Sequence, residues 1–167
     1  MKRTFSLLAS VLMLLPLFSC TNENQTTIEK TWVVSVKENP GIEVEMGAEY
    51  VVIDLSEAGK LKLGMVLTAE MADSFNKDAG QQTIAKENDV VIGRALDVTI
   101  SPSGKSSGTL SFTEGGESHT VNYSKMTRTY VELSIQTEDG VINGKLHTPK
   151  SIGLKLGDFI PAPEGMF

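Results

Sequence analysis

The chain reads as an all-β protein: a single antiparallel up-and-down barrel of about eight strands, with a two-sheet β-sandwich as the alternative. Three observations predict this. From Thr31 onward apolar residues recur with period two, the pattern of strands with one buried face. Turn residues break the alternation at short intervals, and nearly all connections are of hairpin length. Short connections make neighbours in sequence neighbours in the sheet. A Greek-key sandwich needs longer crossovers, and only Ala69–Gly80 is long enough to serve as one.

The first strand runs over Thr31–Lys37, with Trp32, Val34 and Val36 on one face, and the turn Glu38-Asn39-Pro40-Gly41 follows. Glu49–Leu55 aligns Val51, Ile53 and Leu55. After the turn Ser56–Gly59, Lys60–Thr68 alternates Leu61, Leu63, Met65 and Leu67 against Lys60 and Lys62. Ala69–Gly80 loses the alternation and reads as a loop or one short helix. The pattern resumes at Gln82–Glu87, turns at Asn88-Asp89 and continues through Val90–Ile100, where Gly93 marks a bulge or bend. Ser101–Lys105 is a turn with Pro and Gly in suitable places. Thr109–Thr113 pairs with Ser118–Ser124 across Glu114–Glu117, and Thr129–Gln136 aligns Val131, Leu133 and Ile135. Asp139-Gly140 is a hairpin signal leading to Val141–His147. In the proline-bearing remainder, Leu154, Leu156, Phe159 and Ile160 form a covering segment.

The N-terminus carries an address. Lys2 and Arg3 precede an apolar run from Phe5 to about Leu15, and Leu17-Phe18-Ser19-Cys20 ends in the sole cysteine. This resembles a bacterial lipoprotein signal peptide, residues 1–19, cleaved before a lipidated Cys20. Residues 20–30 then form a polar tether and residues 31–167 the barrel domain with its irregular tail. A spanning helix needs about 20 apolar residues, and this run is shorter and contains Pro16. Thr21, rather than Asp, follows the cysteine, which favours an outer-membrane lipoprotein of the cell envelope; periplasmic and surface faces both stay open.

The precursor has 15 basic and 21 acidic residues, net −6; losing Lys2 and Arg3 with the signal peptide brings this to −8. That balance argues against nucleic acid and against electrostatic docking to anionic lipid. With no cysteine beyond Cys20, the domain must be stable without disulfides.

The features from Trp32, through the hairpin Tyr50–Leu55 to Gly59-Lys60-Leu61, to the run Val121–Thr127, the strand Val131-Glu132-Leu133 and the turn Asp139-Gly140 resemble the lipocalin-like, calycin-type lipoproteins of Bacteroidota. The likeness is a loose pattern over most of residues 31–147. Lys30-Thr31-Trp32 lacks the glycine of the Gly-x-Trp signature. The resemblance implies a barrel closed at its Trp32 end and open at the other, with Arg128 as the arginine packed over the tryptophan. It implies no particular ligand.

Catalytic and metal chemistry finds little footing, and the chain is expected not to be an enzyme and to need no cofactor. His119 and His147 have no cysteine to join them in a metal site and read as exposed. No serine sits in a Gly-x-Ser-x-Gly elbow; Pro102-Ser103-Gly104 reads as a turn. Glu43 with Glu45 and Glu114 with Glu117 read as solvated loop pairs. Tyr50 and Tyr130 fall on outer faces, too few for a glycan platform. What stands out is the apolar inward face, which in a small barrel is either filled or holds one small apolar ligand. Trp32, Leu63, Met65, Phe112, Tyr123 and Leu133 are the candidate lining residues. The alternative is a structural or interaction module with a filled core that contacts another envelope protein.

Overall fold

A computed structural model describes residues 26–39, 47–78, 84–137 and 140–162. The signal segment, Cys20, most of the tether, Pro40-Gly41, Glu43, Glu45 and Asp139 lie outside the described residues. Eight strands, β1 (Thr31–Ser35), β2 (Tyr50–Asp54), β3 (Lys60–Val66), β4 (Val90–Pro102), β5 (Gly108–Glu114), β6 (Glu117–Ser124), β7 (Tyr130–Thr137) and β8 (Gly140–His147), pair antiparallel in sequence order. The β1–β8 pairing completes the ring, so the sheet is a closed up-and-down barrel. The sandwich alternative is thereby excluded.

Besides the eight strands there are a helix and a short ninth strand, the helix being the one that the sequence left open beside a loop. The ambiguous segment after β3 is a helix, α1 (Ala69–Asp78), started by Thr68, whose Oγ1 accepts from Met71 N at 3.3 Å. A short strand, β9 (Phe159–Pro161), adds parallel to β4 at Val90–Ile92, on the edge that β5 leaves free. Parallel pairing of so distant a segment has no local turn signal to announce it.

The expected strand over Gln82–Glu87 does not form in its described part, 84–87. Ala85 instead finds its partners in an α1 side chain: it donates to Asn76 Oδ1 at 2.7 Å and its carbonyl accepts from Asn76 Nδ2 at 2.9 Å. The asparagine amide thus replaces one rung of a ladder. The expected first strand also stops at Ser35, because Glu38 N and Asn39 N fold back onto the Ser35 and Val36 carbonyls. The bulge read at Gly93 is present: Leu63 pairs Arg94 while Gly64 pairs Ile92, leaving Gly93 over. At the β5–β6 turn Gly115 and Gly116 take φ of 59° and 87°, the type I′ geometry that suits a two-residue hairpin.

Packing divides into three clusters. Trp32, Val34, Leu55, Leu61, Val131 and Leu146 belong to the barrel interior. Met65, Leu67, Met71, Phe75, Val91 and Ile160 join α1 and β9 to the far end of the barrel. Val52, Val66 and Val90 are buried on the outer face beneath Leu154 and Leu156, so the tail covers the wall as the sequence suggested. Phe159, by contrast, is exposed. The tail is pinned by Asp89, a buried carboxylate that accepts from Lys86 N and Asp158 N, both at 2.8 Å.

The seam between β1 and β8 is narrow, with one registered pair, Val33–His147. Asn39 extends it: its Nδ2 donates to the Ser35 carbonyl at 2.9 Å and its Oδ1 accepts from Lys145 N at 3.1 Å. A buried amide thereby supplies hydrogen bonds where β1 has ended.

Candidate functional site at the open end of the barrel

Pairing fixes which side chains face inward, and their exposure separates the two ends. At the end where β1, β3, β5 and β7 begin, Trp32 is fully buried and its Nε1 donates to the Ile28 carbonyl at 2.8 Å. Ile28, Leu55, Tyr123, Met126, Val131 and Leu146 close this end around it. Burial pushes the Tyr123 hydroxyl pKa up, with a smaller push from Glu29. Gly108 is needed here, because a Cβ would collide with the Tyr123 ring and the Ser101 carbonyl.

Toward the other end the inward side chains meet solvent. Ile53, Leu63, Leu96 and Phe112 are only partly buried against the interior cluster. Ile135 and Ile142, paired across β7 and β8, are 39% and 43% exposed, and Val141 at the rim is 54% exposed. The same end holds polar groups on the inward register. Arg94 pairs Leu63 and forms an ion pair with Glu114, half-exposed on the arginine side. His119 stacks on Phe112 with ring centroids 5.4 Å apart. This end therefore combines partly exposed apolar side chains with a few polar groups, the composition expected of a small-molecule site.

The six candidate lining residues fall into three places. Trp32 and Tyr123 lie in the closed base. Leu63, Phe112 and Leu133 share the interior cluster, Leu133 being the more buried. Met65 belongs to the cluster beneath α1. Leu96, Ile142, Arg94 and His119 were not singled out from the sequence. Arg94 shares the inward register of Leu96 and Val98 in β4, but a charged residue there carries no apolar signal for a period-two count.

Three smaller expectations are corrected. The cation over Trp32 is Lys30, with Nζ 5.8 Å from the ring centroid, and Arg128 is exposed beside it. Burial lowers the Lys30 pKa, and the Arg128 charge lowers it further. His119 and His147 are half-buried rather than exposed; His147 packs on Tyr130 and lies 3.7 Å from Glu38. Tyr50 and Tyr130 do sit on outer faces, but both are partly buried, Tyr50 against the Val52–Val66–Val90 cluster.

Two hollows are present. One, about 640 Å³, lies along β4, β5 and β6 and is bordered by Asp97, Thr99, Ser111, Thr113, Ser118 and Thr120. The other, about 590 Å³, lies between the start of α1, Tyr50 and Leu154, with Glu49, Glu70 and Glu87 at its edge. Among the described residues no three His, Cys, Asp or Glu side chains come together as a metal site. No described helix is long and apolar enough to cross a membrane. No family model, no curated protein and no solved structure matches this chain.

Proposed function

We propose that the protein is a non-enzymatic, lipid-anchored envelope lipoprotein of the lipocalin-like, calycin-type kind, and that its barrel takes one small apolar ligand through the open end. The observation that carries this is the contrast between the sealed Trp32 base and the solvent-exposed, inward-facing Ile135 and Ile142. Exposing inward apolar side chains forgoes burial energy of about 25 cal/mol per Å². A protein with only a structural role gains by filling that space, whereas a ligand-binding barrel must leave it. The anchor rests on the signal-like run ending at Cys20.

Native mass spectrometry of protein purified from its own host tests the binding function. A co-purifying lipophilic mass of one fixed value supports it, and bare protein across repeated preparations contradicts it. The exposed rim residues Val141 and Ile142 favour one other reading, a mouth that docks a protein partner. Bare barrel with a stably associated envelope protein would select that reading.

A further inference from the structure

We infer that the closed end is the pole facing the anchoring bilayer, seated on anionic headgroups, and that the mouth points away into the aqueous compartment. This rests on the lipid-anchor reading of Cys20 and adds a direction to it. The ligand then arrives from solution or from a soluble carrier, not by sideways extraction from the membrane that holds the protein.

The first support is where the tether joins the fold. Ile28 is buried in the base, its carbonyl holds Trp32 Nε1, and Leu55 N donates to the Lys30 carbonyl at 3.0 Å. The chain is therefore committed to the closed end from Ile28 onward, which leaves residues 21–27 between Cys20 and the barrel. Seven residues reach at most about 25 Å. Strands of eight residues such as β7 and β8, tilted as in a barrel, rise about 20 Å along the axis before any turn is added. The base lies well within that limit. The mouth lies close to it.

The second support is charge, and it is independent of the first. Among the described residues the charges are unevenly placed. At the closed end Lys60, Lys62 and Lys125 are matched by Asp97, Glu57 and Glu132. That leaves Lys30, Lys105, Arg128 and Lys150 there against Glu29 and the buried Asp54, whose carboxylate is occupied by Thr31 and Ser56. At the mouth Glu49, Glu70, Asp73, Glu87 and Glu117 outnumber Lys77 and Lys86, while Glu38 lies beside His147 at the end of β8. An anionic bilayer attracts the first pole and repels the second, over a screening distance of about 8 Å at physiological salt.

The test uses the mature, lipidated protein in vesicles of phosphatidylcholine with or without phosphatidylglycerol. Ser103→Cys, in the closed-end turn, and Val141→Cys, at the rim, each add one free thiol, since lipidation occupies the Cys20 sulfur. Both positions are exposed, so the fold should tolerate a bimane label. A lipid with a nitroxide headgroup should quench the Ser103→Cys label several-fold more than the Val141→Cys label. Combining Lys105→Glu with Arg128→Glu should narrow that difference in the anionic vesicles. Equal quenching at the two sites, or more at the rim, overturns the orientation. A difference untouched by phosphatidylglycerol or by charge reversal overturns the seating on anionic headgroups. Protein that fails to float with the vesicles overturns the lipid-anchor reading on which the inference depends.

Discussion

The two ends of this barrel are built by different means. The base is chiefly apolar packing: Trp32, Leu55, Val131 and Leu146 are sealed together, with the Trp32–Ile28 hydrogen bond within and Asp54 held by Thr31 and Ser56 beside it. The end carrying α1 and the mouth depends on polar side chains standing in for backbone ladder. Asn76 completes Ala85, Asn39 bridges the β1–β8 seam, and Asp89 holds the tail. The difference teaches that stability and function are separated along the barrel axis. One end supplies the core, which leaves the interior of the other free to remain unfilled.

That separation can be broken in graded ways. The largest effect belongs to the base: Trp32→Ala should cost about 3–5 kcal/mol, because a large buried side chain and its hydrogen bond go together. A urea melt that shifts by less than about 1 kcal/mol would mean that the base is not the core. Next is Asp89→Ala, expected to cost about 1–3 kcal/mol by leaving Lys86 N and Asp158 N without their acceptor. Amide exchange should accelerate at Phe159, Ile160, Ala162 and Val90–Ile92 while β6 and β7 stay protected.

At the rim, Ile142→Lys should change stability by no more than about 0.5 kcal/mol, since the side chain is already 43% exposed. A loss as large as that of Trp32→Ala would show that the mouth is packed after all. Smaller still is Arg94→Ala, at about 0–1 kcal/mol, because the Arg94–Glu114 pair is partly solvated and screened. The faintest change is in alkali. Carboxylate partners raise the Lys60, Lys62 and Lys125 pKa values above 10.5, hydrogen bonding contributing most. Their contribution is present below the ordinary lysine pKa and is lost as pH rises through the raised values. Salt should abolish that slope in a pH-dependent melt.

Most of the barrel was legible because alternation is local. The face bearing Leu61, Leu63 and Met65, the turn glycines and the bulge at Gly93 all follow from neighbouring residues. What escaped depends on partners far along the chain. β9 pairs with β4 across about 69 residues, and Asp89 has a meaning only once Asp158 is beside it. The candidate site was half legible. Leu63, Phe112 and Leu133 were recognised as inward, but no sequence pattern tells a filled layer from an open one, so Trp32 and Tyr123 were grouped with them. Net charge is likewise a sum along the chain and carries no position.

The most direct test of an open apolar interior is a fluorescence titration with cis-parinaric acid on the soluble Cys20→Ala protein. It compares that protein with two added substitutions, Ile142→Lys at the mouth and Ile152→Lys in the 3₁₀ turn after β8, which are alike in exposure and opposite in place. Saturable one-to-one binding that Ile142→Lys weakens and Ile152→Lys leaves intact is the predicted result. No saturable binding, or equal loss from both substitutions, would contradict a ligand site at the mouth.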